Sequence, residues 1–206
     1  MNRPFALVIN ATTNLGVQVC KDLAESGHDL LIAAQTDDIF EVQRNLEYEG
    51  YNVEGMRVSL NTYKGIENLC GVLTDCPPVD ILVICSDIYG GEIFLETSLN
   101  DEIRQINQNI IAPLHLVKRV LADMRRRHKG KIIFADSDEG KKFSIQGPTQ
   151  KATRAFLDSF CHEMEMDLKD SGITISTRYQ QDDILQRIHD YAFKVLPDIL
   201  KSIQRD

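Results

Sequence analysis

Six short, largely apolar runs, each followed by a longer stretch of helical periodicity, dominate the 206-residue chain. The runs are Phe5–Ile9, Asp29–Ala34, Val53–Val58, Val79–Ile84, Lys131–Ala135 and Gly172–Thr177. An apolar run without polar alternation is a strand buried on both faces, the signature of a parallel sheet sandwiched between helices. The intervening spacing predicts helices over 14–26, 38–49, 63–74, 99–128 and 149–170. Gly27, Gly50, Gly130 and Gly172 stand where those helices should stop, and Pro77-Pro78 marks the turn before the fourth strand. A last segment, Asp183 to Gln204, carries Leu185, Ile188, Ala192, Val195, Leu196, Ile199 and Ile203 at helical spacing and is kinked or split at Pro197. The prediction is one doubly wound α/β domain over 1–181, with a helical segment, 182–206, packed on it.

Charge and composition narrow the function classes. Lys plus Arg number 23 against 31 Asp plus Glu, a net charge of −8 that repels phosphate backbones and anionic lipid. No nucleic-acid or membrane partner is expected. The chain has no run of 18 apolar residues, and MNRPFALVIN leads straight into the first strand, which argues against a membrane span and a signal peptide. The five cysteines (20, 70, 76, 85 and 161) show no C-x-x-C spacing, so a reduced, cytoplasmic chain with inert thiols is expected.

No metal site is expected, because the five histidines (28, 115, 128, 162 and 189) include no H-x-H or H-x-x-x-H pair. Cys161 and His162 are neighbours on a helix and point about 100° apart, so they read as a core thiol beside an exposed imidazole. Arg125-Arg126-Arg127-His128-Lys129 ends a helix, where cations complement the dipole. Asp136, Asp138 and Glu139 with Lys141-Lys142 read as a solvated loop, and Asp182-Asp183 as the start of the last helix.

In a doubly wound sheet the ligand lies at the carboxyl ends of the strands, where the strand order reverses. There the chain reads ALVINATTNLGVQV. With Asn-Ile-Ile-Ala-Pro-Leu-His-Leu at 109–116 and GKIIFADSDEG at 130–140, that segment resembles the short-chain dehydrogenase/reductase family from about residue 4 to 181. The resemblance implies a Rossmann-type sheet, a nicotinamide cofactor and a Tyr-x-x-x-Lys catalytic dyad. It also marks departures. The family's first turn is T-G-x-x-x-G-x-G; here those positions are Ile9, Asn10, Asn14 and Gly16, so one glycine of three survives. The expectation is that the added side chains project into the space of the cofactor phosphates. The ribose position at the end of the second strand is Ala34, and the adenine-site Asp is Ser59. The family's N-N-A-G is Ile84-Cys85-Ser86-Asp87, which sets a carboxylate near a dianionic pyrophosphate.

The catalytic positions diverge as well. Asn109 and Ser137 match the family's Asn and Ser, read here as a mid-helix residue and a turn residue. Where the resemblance places Tyr and Lys, the chain has Gln150 and Arg154. Glutamine has no proton to exchange near neutral pH, and arginine does not deprotonate. None of the six tyrosines is followed four residues on by Lys. The family's substrate loop, seventh helix and seventh strand have no counterpart; 182–206 stands in their place. The reading is a chain that binds no cofactor itself and has no catalytic residues of its own.

What remains is a means of association. Helices 99–128 and 149–170 correspond to those that form a four-helix bundle between family subunits. On the first, Ile103, Ile106, Ile110, Leu114, Val117 and Leu121 recur at helical spacing, and on the second Ala155, Phe156, Phe160, Met164 and Leu168 do. Ile111, Leu116, Val120, Met124, Leu157 and Met166 add a second apolar face, and a helix apolar on two faces has two partners. The preferred expectation is a non-catalytic subunit supporting an active, NAD-binding relative; heteromers of this kind occur in the family, including in acyl-CoA and aromatic degradation. The alternatives are a homodimeric scaffold or regulator, and a divergent NAD(P)-dependent oxidoreductase.

Overall fold

In the computed structural model, residues 3–86, 93–136 and 147–178 are described. Each apolar run forms a strand: β1 (Phe5–Ile9), β2 (Asp29–Ala34), β3 (Val53–Arg57), β4 (Val79–Cys85), β5 (Gly130–Ala135) and β6 (Ile173–Arg178). All pairings are parallel, and the order is β3-β2-β1-β4-β5-β6, so the order reverses between β1 and β4. The predicted single doubly wound α/β sheet is the fold observed. The segment from 179 onward, including the predicted last helix and the 181/182 boundary, lies outside the described residues.

Alternation along the strands builds two cores. Leu7, Ile9, Leu82 and Ile84 face one side of the sheet, against α3 (Tyr63–Asp75) and the helices that follow β4 and β5. Ala6, Val8, Ile81 and Val83 face the other side, against α1 (Asn14–Glu25) and α2 (Ile39–Tyr48). The β1–β4 register shifts once, between Phe5 and Ala6, and Asp80 sits at that shift. Its buried carboxylate accepts from the Phe5 N–H at 3.2 Å and from Arg127 Nη1 at 2.8 Å.

The predicted helix 99–128 is not one uninterrupted α-helix. It comprises α4 (Leu99–Ile106), a π-helical turn (Asn107–Ile111) and α5 (Ala112–Arg127). Pro113 explains the break: it has no N–H to donate to the Asn109 carbonyl, and the Ala112 N–H reaches back to Asn107 instead. The end of α5 also differs from expectation. His128, not Gly130, takes the left-handed conformation (φ 53°), while Gly130 opens β5 because a Cβ there would lie 2.3 Å from the Met124 sulfur. The inward stripe of α5 is Leu116, Val117, Val120 and Met124; Ile103 and Ile106 of α4 are exposed. In α6 (Pro148–Asp167) only Thr153 and Cys161 are fully buried, and Phe156 faces out. Among the described residues, no helix is long and apolar enough to cross a membrane.

Candidate functional site

The strand ends meet where the sheet order reverses. Asn10, just past β1, has φ 56°, the left-handed region that asparagine tolerates better than most residues. Its side chain is drawn into the fold rather than left projecting from the turn. It turns into the β1–β4 crevice, is 6% exposed, and donates from Nδ2 to the Cys85 carbonyl at 2.8 Å. The turn therefore keeps a glycine-like path with an amide closing the crevice beneath it. Thr13 caps α1: its Oγ1 accepts from the Gly16 N–H at 3.0 Å and donates to the Asn10 carbonyl at 3.0 Å. Gly16 is obligatory here, since a Cβ would stand 2.5 Å from the Asn10 carbonyl oxygen. Asn14 is exposed at the first position of α1.

Ala34 is buried at the end of β2. Beyond it, Arg57 Nη1 donates to both carboxylate oxygens of Asp37, at 2.9 and 3.0 Å, in an exposed pair. Ser59 is exposed and donates to Asn61, whose carbonyl accepts from Asn107 Nδ2 at 3.1 Å and so ties the β3 loop to the π-helical turn. Ser86 is half-buried, and its N–H donates to the Ala135 carbonyl at 2.7 Å. Asn109 lies half-buried within the π-helical turn rather than in a regular helix. Gln150 and Arg154 stand one turn apart near the start of α6. Asp87 and Ser137 lie outside the described residues.

The residue that sequence reasoning missed is Asp136. The sequence places it in a solvated loop, yet its side chain is only 13% exposed and forms an ion pair with Arg154, itself 20% exposed. The available signal was positional: Asp136 directly follows β5, and a strand-end residue is held by the sheet whatever the loop beyond it does. The pair fastens the start of α6 to the carboxyl end of β5. The guanidinium that replaces the family's lysine is thus engaged by a carboxylate of the same chain. Among the described residues no group of three or more His, Cys, Asp and Glu side chains is placed to hold a metal ion. Cys161 is buried and its thiol is pushed up to about 12 by burial, while His162 is exposed, so the two do not act as nucleophile and base.

The family model described as short chain dehydrogenase matches residues 4–179. The chain belongs to the short-chain dehydrogenase family. It is 24% identical over 83% of its length to glycine betaine reductase ATRR of Emericella nidulans, of which it spans 14%. It is 25% identical over 89% of its length to the monensin polyketide synthase putative ketoacyl reductase of Streptomyces virginiae, spanning 73% of that protein. It is 24% identical over 84% of its length to inactive hydroxysteroid dehydrogenase-like protein 1 of Rattus norvegicus, spanning 54%. A metagenomic short-chain oxidoreductase solved with NADP superposes with a TM-score of 0.77 at 21% identity, covering 92% of this chain and 90% of the other.

This short-chain dehydrogenase fits a nicotinamide dinucleotide only in part. The α1 turn keeps its backbone path, its threonine cap and the glycine a Cβ would fill. At the other end, the side chain that would hold a ribose is an arginine drawn onto Asp136, and a glutamine stands where a phenol would exchange a proton.

Proposed function

We propose that this short-chain dehydrogenase is a catalytically silent member that acts by association, as the supporting subunit of an active, cofactor-binding relative. The Arg154–Asp136 ion pair carries the reading. Arginine remains protonated, and a partly buried carboxylate beside it neutralises its charge, so it neither tunes a neighbouring acid nor reaches a ribose. Gln150, beside it in the sequence of α6, has no proton to give or take near neutral pH. Association would run through α4–α5 and α6, whose outward residues Ile103, Ile106, Phe156 and Met166 lie uncovered in the single chain. A partner built on the same helices would gain a rigid neighbour for its own catalytic helix.

The preserved turn around Asn10 and Gly16 favours a second reading, a divergent NAD(P)-dependent oxidoreductase. Reductases among the relatives agree with that reading, and the relative named inactive agrees with the first. Calorimetric titration with NAD(H) and NADP(H) separates them. Four lost contacts of about 1 kcal/mol each weaken binding roughly a thousandfold, so no low-micromolar affinity is expected. A low-micromolar dissociation constant would overturn the silent-subunit reading in favour of the second. Light scattering addresses the association: a chain that stays monomeric, alone and with a co-expressed active relative, ends the proposal.

A further inference from the structure

α1 and α2 pack over the face of the sheet opposite α3, α5 and α6. Between them lies a groove of about 560 Å³. Leu46 is buried at its floor, Val42 is half-buried, and Val17 of α1 is exposed along one wall. Tyr48 lines the rim at 95% exposed, an aromatic ring with almost none of its own chain against it. Single exposed apolar residues are ordinary on a surface, but these share one recess. The charged residues lining the groove are Lys21, Asp38, Glu41 and Glu49. Lys21 and Glu49 neutralise each other, Nζ to Oε2 at 3.2 Å. Asp38 accepts from Thr36 Oγ1 at 2.9 Å, and neither it nor Glu41 has an ion-pair partner among the described residues. Both stand at the start of α2, where the helix dipole favours negative charge. The groove thus presents two unpaired carboxylates beside an apolar floor.

We infer that this groove docks a basic amphipathic segment of a partner protein, with apolar side chains seated on Val42, Leu46 and Tyr48 and a lysine or arginine against Asp38 and Glu41. Charge complementarity selects that occupant. The unpaired charges lining the groove are negative, and the net charge of −8 draws a cationic segment from a distance. Nucleic acid and anionic lipid are repelled by the same charges. A second copy docking groove to groove would set carboxylate against carboxylate. The inference does not rest on the silent-subunit reading, which places association on α4, α5 and α6, and its failure leaves that reading untouched.

Fluorescence anisotropy tests the inference, using a labelled helix-forming peptide of lysine, alanine and leucine. The comparator is the same peptide with glutamate for lysine. Asp38→Asn/Glu41→Gln removes the unpaired charges of the groove, and asparagine serves as well as aspartate at the start of a helix. Tyr48→Ser removes the aromatic rim. Glu54→Gln/Asp75→Asn removes two exposed carboxylates elsewhere, one on β3 and one at the end of α3, and so reports any binding that follows overall charge alone. Circular dichroism checks that each variant keeps the fold. The lysine peptide should bind the parent chain and Glu54→Gln/Asp75→Asn alike, and each groove variant about fivefold more weakly. Its binding should weaken as salt rises from about 0.05 to about 0.5 M. Absence of binding by the lysine peptide, groove variants that bind as the parent does, an equal loss in Glu54→Gln/Asp75→Asn, or tighter binding of the glutamate peptide each overturns the assignment.

Discussion

Asn10 shows how a residue other than glycine can hold a left-handed backbone. The family's glycine there tolerates a left-handed angle; asparagine tolerates it too, and its amide spans to β4. The loss of glycine was legible in the sequence, but the direction of the side chain was not, because it depends on a carbonyl 75 residues away. Gly16 is the opposite case. Alanine favours a helix by up to about 1 kcal/mol over glycine, but a Cβ 2.5 Å from the Asn10 oxygen and 2.8 Å from Ala11 Cα meets backbone that cannot yield. Gly16→Ala should destabilise the chain by about 1–3 kcal/mol, read as a lower denaturant midpoint; an unchanged or raised midpoint would show that the turn shifts freely. At the catalytic positions, Gln150→Tyr alone should give no NAD-dependent turnover, since Arg154 stays bound to Asp136 and the new phenol lacks its lysine. Turnover by that single variant would show an intact cofactor site and remove the basis of the silent reading.

At the scale of elements, the strands were legible to within a residue at their ends, because unbroken apolar stretches such as Ile81–Cys85 leave no alternative to burial on both faces. The helices were legible in position and not in detail. Pro113 lies within an apolar periodic stretch, and only the observed π-helical turn shows that the missing N–H is absorbed by widening the helix rather than ending it. Periodicity also left open which of two apolar faces on each long helix meets the sheet. On α6 the answer separates two neighbouring phenylalanines. Phe160 is half-buried against the core, whereas Phe156 is 36% exposed and stacks on it with parallel rings 6.0 Å apart. Phe156→Asp is thus the cleaner break, with Phe156→Asp/Phe160→Asp the stronger one. A bundle interface of this kind buries upward of about 2,000 Å², and an unpaired carboxylate inside it is costly. Phe156→Asp should shift the light-scattering mass from oligomer to monomer with the circular dichroism spectrum preserved. An oligomer that survives it would place the interface elsewhere.

Across the whole molecule, the two ends of the sheet divide the work. The carboxyl ends carry the candidate site; the amino ends carry a charge network that sequence reading did not reach, because its members come from five separate elements and connections. Asp80 of β4 gathers Arg127, Lys129 and the Phe5 N–H, and His28, just before β2, is buried close by. Burial lowers the His28 pKa, against opposing contributions from the Leu23 carbonyl, Asp80 and Asp29, while Lys129 adds to the lowering. Nδ1 lies 2.9 Å from Ser26 Oγ and 3.2 Å from the Leu23 carbonyl, while Nε2 is buried without a hydrogen-bond partner. A histidine whose folded pKa lies below its unfolded value of about 6.5 binds protons more readily in the unfolded chain. Its contribution is fully present above that value and is lost as the pH falls toward the folded pKa. Asp123 acts in a separate, lower window: burial would raise its pKa, but hydrogen bonds and charge from Arg127 and Arg126 outweigh this and hold it below the usual carboxylate range. Stability should therefore fall in two stages on acidification, the first beginning near pH 6.5 and the second among the carboxylates. His28→Gln isolates the first, since glutamine cannot take up the proton. The stability gap between the parent chain and His28→Gln, measured by urea denaturation, should be constant in mildly alkaline buffer and change in the variant's favour below about pH 6.5. A gap that stays constant through that range would show that His28 titrates alike in both states and that its burial has no energetic consequence.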